Sequence, residues 1–339
     1  MHASQVYNPP FSPFFLTYRV IVTRIRLLFL LLIVLMFTCL PASCREVVTV
    51  PDDTSSIGQA LTLVDEGGTV MVKSGTYRGY IYIVKPVAII GEDEPLILDP
   101  IIIESTGNVT VKGLTIIISP PGTEEAIFVK NSTNVVLEKV KIFDTGMIIY
   151  QSVNVTVRSC EFVESPGPSI AVKAGSNSIL IESCSFNQSY IGLSVFEAAE
   201  VTFRFNTVYD AKSLVVKLYP QALNVTVYMN NFLGEAEAAD MGSGNSWFNS
   251  TLKLGNYWSM WKSVKEDADG DGIIDEPKPI EGIAKAVDQY PLANPFQEYI
   301  VENKRDDLQK YLVVLIVITL AVVLILVAIR RVKTYMSIL

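Results

Sequence analysis

Four aspartates near the C-terminal end of the chain are spaced as in a cation-binding loop. They alternate with small residues in the stretch DADGDGIID, where Gly272 allows the sharp turn that such a loop needs. Alternating carboxylates on a tight turn direct several hard oxygen atoms to one point, which is the coordination that Ca²⁺ prefers. We therefore predict a calcium site in this loop. Its predicted ligands are the side chains of Asp267, Asp269, Asp271 and Asp275 and the backbone carbonyl of Ile273.

The loop departs from an EF-hand at one position. An EF-hand has a glutamate at its twelfth position, where this chain has Lys278. A further ligand would therefore have to come from elsewhere, such as Glu276 or Asp288. The alternative interpretation is a solvated acidic turn that binds no metal.

Residues capable of acid–base chemistry are dispersed along the chain. They are Asp144, Arg158, Glu161, Glu164, Glu182, Arg204 and Asp210. Enzymes that cleave polysaccharides need a carboxylate pair, or an arginine base beside calcium-bound carboxylates, on one face. These residues form no recognisable set of that kind, and the only histidine is His2. We predict no catalytic residue and a surface ion pair between Arg158 and Glu182, with a polysaccharide lyase or glycoside hydrolase as the alternative.

Six copies of a nine-residue pattern predict the scaffold that carries these side chains. The copies begin at Asn108, Asn134, Asn154, Ser178, Glu200 and Asn224, at intervals of 20 to 26 residues. Apolar residues occupy the second and fourth positions, as Val109 and Val111 do in the first copy, so a strand would direct them to one face. A repeat of this length with strand-type alternation is typical of a solenoid whose coils stack parallel strands.

The seventh position of the repeat places like residues in neighbouring coils. Cys160 precedes Cys184 in this column, and Asn206 precedes Asn230. Stacked asparagines can pass amide hydrogen bonds along the solenoid axis. Adjacent strands lie about 4.8 Å apart, which is close enough for a disulfide between the two cysteines. A stack of buried free thiols is the equal alternative.

Residues 47–103 resemble the first segment of pectin-lyase-like β-helix proteins. A short helix is predicted after Asp53-Thr54-Ser55-Ser56 and before Gly67-Gly68, and strands within GGTVMVKSGTY and KPVAIIGE follow it. The helix would cover the open edge of the first coil. The resemblance extends over residues 47–250 and implies an all-β, right-handed parallel β-helix with an N-terminal capping helix. It implies no particular activity, because this fold serves lyases, hydrolases, adhesins and binding scaffolds.

Residues 254–296 resemble the C-terminal end of NosD-type β-helix proteins. The resemblance rests on Gly255-Asn256-Tyr257-Trp258-Ser259, the aspartate loop, Pro277-Lys278-Pro279-Ile280 and Asp288-Gln289-Tyr290-Pro291-Leu292. That family is associated with copper delivery to nitrous-oxide reductase beside an ABC-type transporter, so the resemblance implies a copper-handling role and a transporter partner. Copper selects imidazole and soft sulfur ligands. Because the chain beyond the predicted signal segment offers only Cys160, Cys184 and scattered methionines, we do not expect copper and keep a metallochaperone as an alternative.

Two apolar runs predict how the chain is placed at a membrane. Leu27–Leu40 follows three arginines and precedes Pro-Ala-Ser-Cys, as in a signal peptide cleaved near Cys44 or Arg45, with an uncleaved signal anchor as the alternative. Tyr311–Ile329 has no charge and would span roughly 28 Å as a helix, which is enough to cross a bilayer. Three basic residues follow this second run, so we expect the tail in the cytoplasm and the body outside.

The predicted domains are unequal in length. They are a signal segment (1–44), a parallel β-helix (45–253), a cap with the calcium loop (254–296), a charged stalk (297–310), a transmembrane helix (311–329) and a cytoplasmic tail (330–339). Residues 45–310 contain 35 acidic and 21 basic residues, a formal net charge of −14. An acidic exterior domain is unsuited to nucleic acid and favours cations or a cationic partner.

Six sequons mark candidate glycosylation sites. They are Asn108, Asn131, Asn154, Asn187, Asn224 and Asn249. Three of these asparagines also open repeat copies, where asparagine suits turn geometry, so a structural role is the alternative. The sequence as a whole predicts a membrane-anchored extracytoplasmic binding or scaffold module, whose partner is a glycan, an envelope protein or an ABC-type transporter.

Overall fold

The computed structural model describes residues 46–118 and 125–296. The predicted signal segment, stalk, transmembrane helix Tyr311–Ile329 and tail fall outside these residues. Among the residues described, no helix has both the length and the apolar character required to span a bilayer.

Three parallel sheets form the sides of a solenoid, and successive coils add one strand to each sheet. The first sheet consists of β1 (Val47–Val50), β2 (Thr69–Val72), β5 (Val87–Gly91), β8 (Gly107–Lys112), β11 (Thr133–Glu138), β14 (Val153–Arg158), β17 (Asn177–Glu182), β20 (Ala199–Arg204) and β23 (Thr226–Tyr228). The second consists of β3 (Thr76–Tyr77), β6 (Leu96–Ile97), β9 (Thr115–Ile117), β12 (Lys141–Phe143), β15 (Glu161–Val163), β18 (Ser185–Asn187), β21 (Thr207–Tyr209), β24 (Asn231–Leu233) and β26 (Tyr257–Trp258). The third consists of β4 (Ile81–Ile83), β7 (Ile101–Glu104), β10 (Ile127–Lys130), β13 (Met147–Tyr150), β16 (Pro168–Lys173), β19 (Ile191–Phe196), β22 (Leu214–Leu218) and β25 (Glu237–Asp240).

Two short helices and an antiparallel ribbon complete the described fold. They are α1 (Ile57–Leu63), α2 (Ser259–Val264) and the pair β27 (Lys278–Pro279) and β28 (Val287–Asp288). Ser56 caps α1 by accepting a hydrogen bond from Gln59 N at 3.2 Å. The apolar side of α1 is buried against the first coils, so the capping helix predicted from the sequence is confirmed.

The period-two pattern of the repeat determines which side chains enter the core. The second positions of the first five copies pair in register and are at most 1% exposed, namely Val109, Val135, Val155, Ile179 and Val201. The ninth positions form another buried column, namely Ile116, Ile142, Phe162, Phe186, Val208 and Phe232. The predicted solenoid of stacked parallel strands is therefore confirmed.

Aromatic side chains fill the middle of the core. Phe162 and Phe186 stack with ring centroids 5.0 Å apart and planes 3° apart. Phe203 enters from the first sheet, with its ring 5.6 Å from that of Phe186. All three are fully buried, so each buries a large apolar area that stabilises the stacking of neighbouring coils.

Asparagines at the starts of the repeat copies occupy left-handed turn positions. Asn108, Asn154 and Asn224 have φ values of 54°, 55° and 53°, a region that asparagine tolerates better than most residues. On the surface, Asn134 Nδ2 donates to Asn108 Oδ1 at 3.0 Å, and Asn154 Nδ2 donates to Asn134 Oδ1 at 2.7 Å. Asn108 and Asn154, which are sequon asparagines, thus have side-chain partners in a neighbouring coil.

The six sequon asparagines differ in accessibility. Five are exposed, namely Asn108, Asn131, Asn154, Asn187 and Asn224. Asn249 is half-buried, and its Oδ1 accepts hydrogen bonds from Thr251 N and Leu252 N. Glycosylation at these positions stays a prediction.

The C-terminal cap, residues 254–296, closes the last coil. Its strand β26 continues the second sheet beside β24. The Trp258 ring lies 4.4 Å from that of Phe232 in the core and 6.1 Å from that of Trp247. The cap therefore covers the end of the core with aromatic side chains.

Candidate functional site

The aspartate loop of the cap brings three of its predicted ligands together. One carboxylate oxygen each from Asp267, Asp269 and Asp271 lies within 4.8 Å of the others. Calcium binds oxygen at about 2.3–2.6 Å, so two ligands on opposite sides of one ion are about 5 Å apart. The three carboxylates are thus spaced closely enough to share one Ca²⁺.

Backbone amides hold the carboxylates in this arrangement. Asp267 Oδ1 accepts hydrogen bonds from Gly270 N at 2.8 Å and Asp271 N at 3.2 Å, and its Oδ2 accepts one from Gly272 N at 3.0 Å. Asp271 Oδ1 accepts one from Ile273 N at 2.8 Å. Both glycines have positive φ, 73° and 89°, which a tight turn requires. The loop is therefore ordered by its own hydrogen bonds, with Asp267 half-buried and Asp269 and Asp271 exposed.

The other two predicted ligands lie beside this group. Asp275 is exposed, and its Oδ2 accepts a hydrogen bond from Ala268 N at 3.1 Å across the loop. Ile273 pairs antiparallel with Leu292, which ties the loop to the end of the cap. Asp275 and the Ile273 carbonyl stay predicted ligands of the calcium site.

The sequence allowed Glu276 or Asp288 as a further ligand, and the structure excludes Asp288. Both oxygens of Asp288 accept hydrogen bonds from N–H groups, and the residue is fully buried, so it has no access to an ion in the loop. Glu276 is exposed and forms an ion pair with Lys265 at 2.5 Å. The remaining donor set consists of hard carboxylate and carbonyl oxygens, which fits Ca²⁺ and not copper.

A buried ladder of amide hydrogen bonds joins the cap to the last coils. Asn206 N and Nδ2 donate to Asn230 Oδ1, both at 3.0 Å. Asn230 N and Nδ2 donate to Asn256 Oδ1 at 3.1 and 2.9 Å. Asn256 N and Nδ2 in turn donate to Asp288 Oδ2 at 2.7 and 3.1 Å. The predicted stacking of Asn206 and Asn230 is confirmed, and all four residues are 0% exposed.

Sequence reasoning missed the cap end of this ladder. Asn256 follows Asn230 by 26 residues, an interval that also separates the first two repeat copies, so extending the repeat would have found it. Asp288 carries no such signal, because it reaches the ladder from the ribbon formed by β27 and β28.

The cysteines continue the ladder toward the middle of the solenoid. Cys184 N donates to Asn206 Oδ1 at 2.9 Å, and Cys160 N donates to Cys184 Sγ at 3.4 Å. Both cysteines are buried free thiols, so the disulfide predicted as one alternative is not formed in this structure. Burial raises the pKa of the Cys184 thiol. The two side chains are enclosed in the stack rather than presented to solvent.

Charged residues on the outer face of the first sheet pair along the axis. Arg158 donates to Glu138 Oε2 at 2.6 and 3.0 Å, and Lys112 lies 2.9 Å from Glu138 Oε1. Arg204 pairs with Glu182 at 2.8 Å. The expected Arg158–Glu182 pair is therefore wrong. Arg158 pairs with Glu138 of the preceding coil, and Glu182 pairs with Arg204 of the following coil. Hydrogen bonds from Lys112 and Arg158 lower the pKa of Glu138.

The other dispersed acids lie along the second sheet, with Glu161 in β15 itself. Three occupy left-handed turn positions that follow strands of the second sheet in different coils, namely Asp144, Glu164 and Asp210. Their placement at equivalent turns indicates a role in the solenoid geometry.

Comparisons with known proteins agree with this architecture. Residues 100–252 match the family model described as "right handed beta helix region". No curated protein matches the sequence. The three-sheet solenoid and the matched region together show that the described part of the chain has a right-handed parallel β-helix fold.

Several solved structures are similar at low sequence identity. The Streptococcus pneumoniae surface protein and adhesin PfbA is 16% identical over 59% of this chain and 69% of its own, with a TM-score of 0.45. The PL6 family alginate lyase AlyGC is 13% identical over 62% of this chain and 38% of its own, with a TM-score of 0.44. The pectin methylesterase from Aspergillus niger is 14% identical over 62% of this chain and 90% of its own, with a TM-score of 0.28. Similarity at this level assigns no activity to the chain.

Proposed function

We propose that this chain is a membrane-anchored, extracytoplasmic NosD-like β-helix that acts as a binding or scaffold module for an envelope glycan, with a cap stabilised by Ca²⁺. The C-terminal apolar run Tyr311–Ile329 supports the membrane anchor. The carboxylate spacing in the aspartate loop supports the calcium site. An ABC-type transporter is a further candidate partner, which rests on the NosD resemblance alone.

An exposed aromatic pair on the first coil carries the glycan proposal. Tyr80 and Tyr82 stack with ring centroids 6.0 Å apart and planes 18° apart, and their side chains are 45% and 55% exposed. They border a groove of about 410 Å³ that Leu61 and Thr62 of α1 line on the opposite side. Aromatic faces beside a few polar groups are suited to the apolar faces of sugar rings.

The ion pairing and burial of the acidic side chains favour binding over catalysis. Glu138 and Glu182, which lie on the outer face, are engaged by basic neighbours in ion pairs. Asp288, whose pKa burial raises to about 7, has the pKa of a general acid but is sealed inside the cap. A polysaccharide substrate on the outer surface would not reach it.

A binding assay with full-length protein tests this function. We expect acidic or neutral surface polysaccharides to be retained by the protein, and Tyr80→Ala/Tyr82→Ala to weaken retention at least about tenfold. Tyr190→Ala, at a 49% exposed tyrosine elsewhere on the solenoid, is the matched control and should bind as the wild type does. The same incubations are assayed for unsaturated products and new reducing ends.

Three results would contradict the proposal. Release of products would establish a polysaccharide lyase or glycoside hydrolase. Failure to retain any polysaccharide would remove the glycan partner. Tight copper retention that a Cys160→Ser/Cys184→Ser variant loses would establish the metallochaperone alternative instead.

A further inference from the structure

The Asp288 carboxyl group is bonded unequally through its two oxygens. Oδ2 accepts three hydrogen bonds, from Asn256 N at 2.7 Å, Asn256 Nδ2 at 3.1 Å and Trp258 Nε1 at 2.9 Å. Oδ1 accepts one, from Tyr290 N at 3.2 Å. Oδ2 is thus saturated, whereas Oδ1 retains a lone pair that can take a proton.

Asp288 Oδ1 and the Tyr290 carbonyl oxygen both pack against Gly255. A Cβ atom built on Gly255 would be 1.7 Å from Asp288 Oδ1 and 2.6 Å from the carbonyl oxygen of Tyr290, so both oxygens crowd the same side of Gly255. The Tyr290 carbonyl oxygen accepts a hydrogen bond from Gly255 N at 2.8 Å. Both oxygens are therefore packed against the same glycine, where a larger residue would displace them.

No cation among the described residues forms an ion pair with Asp288. Lys278 faces Asp288 across the ribbon, but its Nζ bonds Glu237 Oε2 at 2.7 Å and the Pro279 carbonyl at 3.0 Å. On the side of Trp258, the Trp247 ring lies 6.1 Å from the Trp258 ring, and Trp247 Nε1 donates to Oδ2 of the buried Asp240 at 2.9 Å.

The two segments that donate hydrogen bonds to Asp288 carry no charged residue. Residues 255–258 contribute amide and indole N–H groups, and the turn after β28 contributes Tyr290 as its titratable residue. The carboxylate is therefore stabilised by N–H dipoles alone in a dry site, which disfavours the charged form. Burial raises the pKa of Asp288 to about 7, against the opposing effect of hydrogen bonds from Trp258, Asn256 and Tyr290.

We propose that Asp288 is a pH-sensitive latch that holds the cap on the last coil more firmly when it is protonated. When the cap opens, Asp288 meets water and returns to an ordinary carboxyl pKa of about 4. Its pKa in the closed cap is higher, so the closed cap binds the proton more tightly than the open one does. The free energy by which Asp288 favours the closed cap is greatest below pH of about 4. It decreases as pH rises toward 7 and changes little above that value.

Hydrogen–deuterium exchange of the full-length protein tests the latch. Exchange rates of amides in residues 255–293 are measured from pH 5 to pH 8, corrected for intrinsic exchange, with a chelator present so that metal binding does not contribute. We expect cap protection to fall about a hundredfold over this range and amides of β14 to keep theirs. Fluorescence is a second readout, because the three tryptophans, Trp247, Trp258 and Trp261, all lie in or against the cap.

Variants assign the effect to Asp288. Asp288→Asn should abolish the pH dependence, and Asp93→Asn, which changes an exposed acid outside the cap, should retain it. Trp258→Phe removes an N–H donor to the carboxylate and should raise the pKa of Asp288 further. The loss of cap protection should therefore end at a higher pH than in the wild type. A flat wild-type profile between pH 5 and pH 8 overturns the proposal without any variant, and so does an unchanged profile in Asp288→Asn or Trp258→Phe.

Discussion

Replacing Asn230 by alanine is expected to lower the free energy of unfolding by about 3–5 kcal/mol. Asn230 is fully buried, and its Oδ1 is the acceptor for both Asn206 N and Asn206 Nδ2. Its Nδ2 donates to Asn256 Oδ1 and to the carbonyls of Phe203 and Tyr228. Alanine leaves Asn206 N without this acceptor and removes one donor each from Asn256 Oδ1 and the Phe203 and Tyr228 carbonyls, in a site that water does not reach. Each unsatisfied buried group costs about 1–3 kcal/mol, and the cavity left by the side chain adds to the loss.

The surface ladder provides a matched control for Asn230. Asn134 makes similar side-chain bonds to Asn108 and Asn154, but all three residues are exposed, so water replaces the lost partners. Asn134→Gly, which retains the positive φ of 54°, should cost less than about 1 kcal/mol. Denaturant unfolding followed by circular dichroism measures both variants. Equal losses in the two would show that the buried ladder has no special role in stability.

Phe186→Ala is expected to destabilise the solenoid by a similar amount, about 3–5 kcal/mol. The Phe186 ring lies between those of Phe162 and Phe203, 5.0 and 5.6 Å away, and none of the three is exposed. Truncation removes the stacking contacts and leaves a cavity that the two neighbouring coils cannot close, because their spacing is set by the sheets.

Two further variants separate cavity formation from a general effect of losing phenylalanine. Phe186→Leu fills most of the space and should cost less than about 1.5 kcal/mol. Phe196→Ala removes a ring that is 38% exposed on the third sheet and should cost less than about 1 kcal/mol. A loss in Phe196→Ala as large as that in Phe186→Ala would contradict a core centred on the stacked rings.

The sequence was sufficient to predict the solenoid because its core obeys a local rule. Alternation such as Val109 and Val111 specifies the inward face of each strand, and the repeat interval specifies which strands pair. The seventh column likewise predicted that Asn206 would lie on Asn230. These features need no knowledge of chain segments outside the repeat.

The cap was less predictable because its contacts join segments that share no repeat. Asp288 lies 32 residues after Asn256 and contacts it from the β27–β28 ribbon. No spacing in the sequence predicts this contact. The partner of Arg158 was also missed, because Glu138 and Glu182 flank it in adjacent coils and the choice between them depends on side-chain conformation. In the aspartate loop, spacing predicted the convergence of Asp267, Asp269 and Asp271.

A calcium titration of the full-length protein tests most directly the claim that the aspartate loop binds Ca²⁺ and stabilises the cap. The account predicts one binding event by calorimetry and a higher unfolding temperature, corresponding to about 2.7 kcal/mol at a calcium concentration one hundred times the Kd. Asp269→Asn/Asp271→Asn should lose both effects, and Asp93→Asn, which removes an exposed acid outside the cap, should keep them. The absence of binding heat together with an unchanged unfolding temperature in the wild type would contradict the account.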